Sequence, residues 1–312
     1  MNLKWPLNKD FAFTIIDDTD NSTVQNIKPI YDFLYSKEIL TTKTVWVFEP
    51  KDNFSGQCLK HKEYSEFIKD LIKKGVEIQI HNVGSGDFTR EEINAGYEEF
   101  KAILNYYPSM HINHSSNSDN IYWGYKRFGA VLKTIIKFKY GSKRRFYGDE
   151  EGSIYYWGDI CKKHIKYIRN RVFLGVNTLK YDPKMPYIEK NKKHSNYWFS
   201  SSDGHTVEEF TNLISKKNID SLKKEKGLCI VYTHFASGFI DENGILNRDF
   251  VANIEYLSKQ NGWFVPASDV LDFLVSNKKE NLIRKPVSSM YLNVLDFRWL
   301  IERVIKKVKY KR

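Results

Sequence analysis

The sequence predicts a single α/β barrel of about seven βα units, and three observations favour this fold. Short apolar runs alternate with amphipathic stretches of helical spacing, which is the pattern of repeated βα units. The chain has 312 residues, of which 41% are hydrophobic, so it can fill the core of one barrel. Polar side chains follow the ends of several apolar runs, and in a parallel barrel these ends lie at one face.

The elements follow one another regularly except in the middle of the chain. The predicted strands are Phe11–Ile16, Thr44–Phe48, Val76–Ile80, Met110–Ile112, Val172–Val176, Tyr197–Ser200, Leu228–Thr233 and Trp263–Pro266. The predicted helices are Val24–Ser36, Tyr64–Lys74, Thr89–Leu104 with Thr89 as N-cap, Val207–Lys217, Phe250–Lys259 and Ser268–Val275 with Ser268 as N-cap. We therefore assign residues 1–278 to the barrel, with an insertion around 121–190, and residues 279–312 to a basic helical extension.

Charge and cysteine content limit the partners and the compartment. The net charge is +11, and much of the excess lies in Lys143–Arg145, Lys190–Lys193 and the last residues, which favours anionic partners. The acidic residues lie elsewhere and no nucleic-acid-binding motif is present, so we expect no nucleic-acid partner. The three cysteines show no CxxC spacing, and the start has no apolar segment of a secretory signal. These features predict a cytoplasmic protein.

Polar residues suited to chemistry directly follow five of the predicted strands. They are Asp17 and Asp18, His81, Asn113 and His114, Asp203 and His205, and His234. Because parallel barrel strands end at one face, these residues should converge there. Asp and His are zinc ligands, and a bound divalent ion makes water nucleophilic near neutral pH. The alternative for the Asp17–Asp18 pair is that it caps a turn or a helix.

Four segments carry a resemblance to polysaccharide deacetylases, the NodB-homology group or carbohydrate esterase family 4. The segment 13–18, Phe-Thr-Ile-Ile-Asp-Asp, resembles the first motif of that family, commonly Thr-Phe-Asp-Asp. The segment 81–89 resembles the second, commonly His-Thr-x-x-His-Pro-Asp-Leu-Thr. The segment 230–234 resembles the late Leu-x-Leu-His motif, and 262–268 is similar to the closing strand and helix start. The resemblance runs in order over residues 11–274 and implies a divergent member with a distorted (β/α) barrel.

The resemblance also implies roles by position. Asp17 would be the general base and Asp18 a metal ligand. His81 would be a second ligand, and His234 the general acid that protonates the leaving amine. The implied cofactor is a divalent metal ion, with zinc as the expected metal.

The chain departs from the family pattern at two points. Ser85 stands at the position of the second metal-binding histidine, and serine is a poor zinc ligand. Either the site is degenerate or another residue replaces that histidine, and our candidate is His114, which follows the strand where the family shows Arg-x-Pro-Tyr. Because that motif is absent too, the group that would orient the base is not identified. Further contacts to substrate or ligands are expected from Ser85, Asn113, Asp203, His205 and, more weakly, Asp159, for which a buried helix cap is the alternative.

The segment Leu292–Lys311 has apolar residues at helical spacing beside a basic face, which predicts an amphipathic helix. One interpretation is a closing helix packed on the barrel with a frayed basic end. The other is peripheral attachment to an anionic membrane, which would place the protein at the inner face of the membrane.

Three functions are consistent with these observations. The first is a metal-dependent hydrolase that removes an acyl group from an amino-sugar-containing polysaccharide or its precursor. That substrate could be lipid- or nucleotide-linked, since its phosphates would match the basic surface. The second is a degenerate barrel that binds glycan without a metal, which Ser85 favours. The third is a glycoside hydrolase that uses two carboxylates from among Asp17, Asp18 and Asp203.

Overall fold

The computed structural model describes residues 3–140, 145–279 and 285–310, and these form eight parallel strands enclosed by helices. The strands are β1 (Phe11–Asp17), β2 (Thr42–Val45), β3 (Glu77–His81), β4 (Met110–Ile112), β5 (Tyr167–Phe173), β6 (Tyr197–Asp203), β7 (Leu228–Thr233) and β8 (Gly262–Phe264). The helices are α1 (Val24–Ser36), α2 (Lys62–Lys73), α3 (Arg90–Leu104), α4 (Ala130–Tyr140), α5 (Gly158–His164), α6 (Thr178–Tyr181), α7 (Val207–Leu213), α8 (Lys216–Lys224), α9 (Arg248–Ser258), α10 (Ala267–Ser276) and α11 (Ser289–Tyr310).

Seven of the strands close into a parallel barrel. Neighbours run in sequence order from β1 to β7, and β7 returns to β1 with Ala12 opposite Leu228 and Asp17 opposite Thr233. The strand β8 pairs with the first half of β1, and β2 pairs with its last residues, so β2 and β8 share one edge of β1. The predicted barrel of about seven βα units is confirmed.

Burial and capping explain why these segments form these elements. All seven residues of β1 are buried, as expected for a parallel strand covered on both faces, and such strands read as continuous apolar runs. At the start of α3, the Thr89 side chain accepts from the Glu92 backbone N–H and the Glu92 carboxylate accepts from the Thr89 N–H at 2.8 Å. The predicted N-cap at Thr89 is confirmed.

Several predicted boundaries are wrong, and polar residues account for the largest error. β5 begins at Tyr167 and not at the predicted Val172. The prediction is wrong because residues 169–171 are polar and do not form an apolar run. The register of β5 against β6 also shifts between Arg169 and Val172. The predicted helix 207–217 is two helices, α7 and α8, that meet near Ser215. Pro266, not Ser268, is the N-cap of α10. Helices α4, α5 and α6 are not among the predicted elements.

The C-terminal helix α11 lies against the barrel through polar residues. The Asp296 carboxylate pairs with the Arg171 guanidinium at 2.5 Å, and both side chains are fully buried. Asp203, at the end of β6, pairs with Arg303 and Lys306 at 2.9 Å each. These contacts bring the middle of α11 to the end of the barrel where the strands terminate. Three of the basic residues that the sequence analysis associates with anionic partners, Lys143, Arg144 and Lys311, lie outside the described residues.

Candidate active site

A pocket opens at the carboxyl ends of the strands, and β3, β5 and the segments that follow β1, β4, β6 and β7 contribute to it. Its lining includes Asp18, Asp20, His81, Asn113, His114, Arg169, His205 and His234. Residues separated by more than 200 positions therefore meet at one face, as the barrel topology requires. Six of the sequence-predicted residues line this pocket: Asp18, His81, Asn113, His114, His205 and His234.

Asp20 lies at the centre of the histidines. Its carboxylate is 3.2 Å from His81 Nε2, 3.5 Å from His114 Nε2 and 3.5 Å from His234 Nε2. Burial alone would raise the pKa of Asp20, but the nearby imidazoles of His114, His234 and His81 hold that pKa well below its ordinary value. Asp20 is therefore ionised at neutral pH.

Asp20, His81 and His114 form a group that could hold a metal ion. One ligand atom from each residue lies within 4.8 Å of the others. Asp20 Oδ1, His81 Nε2 and His114 Nε2 are buried and have no hydrogen-bond partner in the described residues. Buried polar atoms are nearly always satisfied, so three such atoms that converge fit a bound cation. The donor set of one carboxylate and two imidazoles suits zinc and other divalent first-row metals.

His114 is oriented for this task by Asn117. The Asn117 side-chain oxygen lies 3.0 Å from His114 Nδ1 and also accepts from the Gly86 N–H at 3.0 Å, while its amide nitrogen donates to the Gly84 carbonyl. These contacts fix the orientation of the Asn117 amide. We therefore assign the proton of neutral His114 to Nδ1, which leaves the Nε2 lone pair directed at Asp20.

Ser85 lies behind His114 and not in the ligand group. Its hydroxyl donates to the Asp52 carboxylate at 2.8 Å and is 3.4 Å from His114 Nδ1. The neighbouring Asn82 has a positive φ of 47° and accepts from the His114 backbone N–H at 2.7 Å. The loop after β3 thus holds His114 in place through its backbone and side chains.

His234 also lies beside the Asp20 carboxylate. Its Nδ1 lies 3.2 Å from the His205 carbonyl oxygen, an acceptor that holds a proton on Nδ1. Burial would lower the pKa of His234, but Asp20 and Asp18 raise it above its ordinary value. His205 differs, because burial, the charge of His234 and that of Lys306 lower its pKa to about 4.

Asp18 is held by an arginine that the sequence did not identify. Arg169 Nη1 donates to Asp18 Oδ1 at 3.0 Å and Nη2 donates to Oδ2, so the pair is bidentate. Burial raises the pKa of Asp18, but the Arg169 and His81 charges outweigh it and the pKa lies below its ordinary value. The Arg169 guanidinium also lies 4.5 Å from the centroid of the Tyr232 ring.

Asp17 points away from the pocket, toward α1. Its carboxylate accepts from the Tyr31 hydroxyl and pairs with Lys43, each at 2.9 Å, and it accepts from the Phe235 N–H. The Asp17 and Lys43 side chains are fully buried. Successive side chains of a strand point to opposite faces, which explains why neighbouring Asp17 and Asp18 have different surroundings.

The remaining predicted residues have varied surroundings. Asn113 lines the pocket, and its side chain bonds both backbone groups of Ile121. Asp203 is buried beneath Arg303 and Lys306 and does not line the pocket. Asp159 stands in the first turn of α5 and forms a surface ion pair with Arg90 at 2.6 Å. Its side chain is 53% exposed, so the alternative of a buried helix cap does not apply to it.

Sequence reasoning missed Asp20, Arg169, Asn117 and Arg127, which all lie in or beside the pocket. Asp20 lies three residues after the end of β1, whereas the motif resemblance rests on the adjacent Asp17–Asp18 pair. Arg169 lies outside the predicted fifth strand, Val172–Val176, so the predicted barrel does not bring it close to Asp18. The signal for Asp20 is its place in the turn after β1, at the face where the strands end.

Comparison with solved structures identifies the class of fold. The allantoinase PuuE is similar over 88% of this chain and 93% of its own, with a TM-score of 0.55 and 12% identity. A protein from Pseudomonas aeruginosa PAO1 that is assigned as a polysaccharide deacetylase covers 88% of this chain and 93% of its own, with a TM-score of 0.53 and 11% identity. Another from Mycobacterium smegmatis, with the same assignment, covers 92% and 96%, with a TM-score of 0.52 and 10% identity.

These similarities confirm the predicted polysaccharide deacetylase-like fold. The chain shares the (β/α)-barrel fold of these structures at 10–12% sequence identity. No family model matches the sequence, and no curated protein matches it closely enough to count as a relative.

Proposed function

We propose that the protein is a metal-dependent hydrolase that removes an acyl group from an N-acylated amino sugar of a polysaccharide or its precursor. The observation that carries this proposal is the group of Asp20, His81 and His114, whose buried ligand atoms lack partners within the described residues. Asp18 and His234 lie in the same pocket, so acidic and basic groups flank that group. The fold is compatible with this chemistry but does not by itself specify it.

A divalent ion held by Asp20, His81 and His114 would supply Lewis-acid polarisation of the acyl carbonyl and lower the pKa of water. The Asp18 carboxylate would accept the proton of the attacking water, and the Arg169 fork would keep it ionised and oriented. His234 would donate a proton from Nε2 to the leaving amine, while the His205 carbonyl holds its Nδ1–H. The raised pKa of His234 favours the protonated form that this step needs.

This proposal shifts two of the roles that the resemblance implied. We propose Asp18 as the base in place of Asp17, because Asp17 is bound to Lys43 and Tyr31 outside the pocket. We propose Asp20 as the carboxylate ligand in place of Asp18, because Asp18 is already paired with Arg169. His81 as ligand, His114 as the replacement ligand and His234 as acid are kept.

Two alternatives have less support. A glycoside hydrolase would need two free carboxylates, but Asp17 and Asp203 are buried in ion pairs away from the pocket lining. A glycan-binding barrel without a metal would leave the unpartnered atoms of Asp20, His81 and His114 unexplained.

Metal content tests the proposal first. Elemental analysis of the purified protein should find about one zinc or other divalent ion per chain, lost in Asp20→Asn, His81→Ala and His114→Ala. His61→Ala is the matched control, since that side chain is 39% exposed and lies outside the pocket. Acetate release from N-acetylated chito-oligosaccharides should require the metal, stop with a chelator and return with zinc.

Absence of metal from the wild type after dialysis against zinc, with no acetate release, would contradict the hydrolase proposal and favour glycan binding.

The identity of the metal as zinc, the sugar and its linkage are predictions that the same assays examine. A cytoplasmic location also stays a prediction. No helix among the described residues is long and apolar enough to cross a bilayer.

We also propose that the protein binds the surface of an anionic membrane through α11, and the orientation of that helix supports this. It turns Asp296 and Glu302 toward the barrel, where both are buried. Its exposed face carries an apolar stripe at spacings of three and four residues, with 47–77% of each side chain exposed: Met290, Val294, Phe297, Ile301, Val304 and Val308. A helix that served only to close the barrel would bury such a stripe, so we infer an apolar partner.

Neighbouring charges favour a lipid surface as that partner. Helix α4 packs beside α11 and adds exposed Val131, Ile135 and Phe138. Lys133 and Lys137 of α4 and Lys307 and Lys309 of α11 are exposed next to these apolar residues. Basic residues beside apolar ones are typical of interfacial helices that bind anionic lipids, with about 1 kcal/mol for each Lys near the surface.

Vesicle sedimentation tests this attachment. The protein should bind vesicles of phosphatidylcholine with phosphatidylglycerol more strongly than vesicles of phosphatidylcholine alone. The double variant Ile301→Gln/Val308→Gln should lose binding, whereas Ile245→Gln, which changes a 63% exposed residue in a distant loop, should keep it. A dimer in sedimentation velocity that the double variant dissolves, without vesicle binding, would contradict the membrane proposal and assign the stripe to a second copy.

A further inference from the structure

The pocket is also lined by arginines of one wall, Arg127 and Arg303, that have no role in the hydrolysis proposed above. Arg127, at the end of the short 3₁₀ turn Gly124–Arg127, lines it together with Asn170 and with Trp299 and Arg303 of α11. Three separate parts of the chain thus converge on this wall. The same pocket contains Asp18 and His234.

The Arg127 guanidinium is fixed in position by its neighbours. Its Nε donates to the Asn170 side-chain oxygen at 3.1 Å, and its Nη2 donates to the Asn170 carbonyl. The guanidinium lies 4.2 Å from the centroid of the Trp123 ring and 5.5 Å from that of Trp299. Both amide and aromatic contacts hold the side chain without neutralising its charge.

Other arginines of the same region have carboxylate partners. Arg169 pairs with Asp18, and Arg171 pairs with Asp296. Within the described residues, no carboxylate lies within ion-pair distance of Arg127. Partial burial and the charges of Arg171 and Arg303 lower the pKa of Arg127 to about 9, so the side chain stays charged at neutral pH.

Arg303 adds a second unsatisfied group. Its Nη2 donates to the Asp203 carboxylate at 2.9 Å and to the Val172 carbonyl at 2.7 Å. Its Nε is buried and has no hydrogen-bond partner in the part of the chain that the structure describes. A buried donor without an acceptor is costly, and so is a partly buried charge without a counter-charge. An oxyanion in the pocket would supply the counter-charge that Arg127 lacks.

We propose that Arg127 forms a subsite for an oxyanion group, phosphoryl or carboxylate, that the substrate carries beside its acylated sugar. Trp123 and Trp299 flank that group and offer faces on which a sugar ring can stack. The placement beside the acylated sugar rests on the proposed function, since it assumes that the amide lies at Asp18 and His234. The existence of the anion subsite does not depend on catalysis.

Titration of metal-free protein tests the subsite directly, because an anion cannot then bind to a metal. Inorganic phosphate and glucuronate should each be titrated by calorimetry into wild type, Arg127→Gln and Arg248→Gln. Arg248 is exposed and lies outside the pocket, so its variant is the matched control. We expect Arg127→Gln to weaken binding of the preferred anion about tenfold or more, and Arg248→Gln to leave it unchanged.

The two anions distinguish the sources of the group. Tighter binding of phosphate assigns a sugar phosphate or diphosphate, and tighter binding of glucuronate assigns an acidic sugar. If neither anion binds to the wild type, or if Arg127→Gln binds both as well as the wild type, the subsite is rejected. Should Arg127→Gln fail to fold, Arg127→Lys, which keeps the charge but loses the fork, serves the same test with a smaller expected loss. Anion binding without acetate release would contradict the proposed function and leave the subsite standing.

Discussion

Asp17 and Asp20 lie three residues apart at the end of β1, yet the buried groups that they form, Asp17–Lys43 and Asp20–His81–His114, have their polar atoms satisfied to different degrees. Asp17 has a cation, a hydroxyl and a backbone N–H as partners, and both members of its pair are fully buried. The Asp20 group instead leaves three buried ligand atoms without a hydrogen-bond partner in the described residues. The comparison teaches that burial and charge alone do not identify a site, whereas unsatisfied atoms that converge do.

Asp18 lies between the two groups in sequence, and its substitution should give the largest effect. Asp18→Asn should lower kcat for acetate release by roughly 10²–10⁴-fold, because the amide cannot accept the proton of water. Metal content should stay near the wild-type value, since Asp20, His81 and His114 are untouched. Both quantities should be measured on the same preparation, with steady-state kinetics and elemental analysis.

Thermal unfolding of that variant serves as its control, because Arg169 loses its counter-charge. Arg169→Lys keeps a positive charge but loses the bidentate fork, so it should reduce kcat less than Asp18→Asn. A kcat within a few fold of wild type in Asp18→Asn would remove Asp18 from the mechanism and return the role of base to another group.

The opposite result is expected at Asp17, which should matter for stability. Asp17→Asn should lower the free energy of unfolding by about 3–5 kcal/mol, because it leaves the buried Lys43 ammonium without its counter-charge. Denaturant titration measures this loss, and metal content of the folded protein should be retained. The double variant Asp17→Asn/Lys43→Met should recover part of the loss, since it removes both members of the pair. Retained stability combined with loss of metal in Asp17→Asn would show that Asp17 supports the metal site and not the stability of the fold.

The sequence predicted the fold and several pocket residues because both depend on local patterns. Buried parallel strands appear as apolar runs, and residues that follow such runs converge at one face, which located His81, His114 and His234. Alternation along a strand also carried information on which of two adjacent carboxylates enters the pocket, since Asp17 and Asp18 point to opposite sides.

What the sequence could not provide depends on contacts between distant segments. Asp18 and Arg169 are 151 positions apart, and their pairing required the correct placement of β5, whose polar residues concealed it. The contribution of α11 to the pocket also depends on tertiary packing, because contacts such as the Asp203–Arg303 ion pair and the packing of Trp299 on Phe128 bring Arg303 and Trp299 to the barrel. Amphipathic spacing predicted the helix but not which of its faces would be buried.

A smaller effect is expected at Asn117, whose side chain is hydrogen-bonded on both sides and orients the proposed ligand His114. Asn117→Ala should weaken metal affinity by roughly 10–100-fold, because His114 loses the acceptor that fixes its Nδ1–H. Competition with a chromophoric chelator measures this affinity. Asn117→Asp keeps the acceptor oxygen and should retain most of the affinity, which separates orientation of His114 from simple loss of volume. Equal losses in the two variants would assign Asn117 to the structure of the loop and not to the ligand.

The smallest effect, a change of stability with pH, is expected at Asp119. This buried carboxylate has no cation partner among the described residues and does not line the pocket. It accepts from the Asn82 side chain at 2.7 Å and from the Phe88 N–H at 3.3 Å, and Asn82 in turn holds the His114 backbone. Burial raises the pKa of Asp119 from 3.8 to about 7, against the effect of these hydrogen bonds. The folded state therefore binds this proton more tightly than the unfolded state does.

The contribution of Asp119 to stability is thus fully present below about pH 4 and is lost as the pH rises through about 7. The free energy of unfolding of the wild type, relative to Asp119→Asn, should fall between pH 5 and pH 8 in denaturant titrations. Asp159→Asn is the matched control, because Arg90 lowers the pKa of Asp159 to about 2 and its contribution is lost only as the pH falls through that value. Its difference from wild type should therefore be constant over the same range. A constant difference for Asp119→Asn as well would mean that the Asp119 carboxylate is ionised in the folded protein, with Asn82 and Phe88 sufficient to hold its charge.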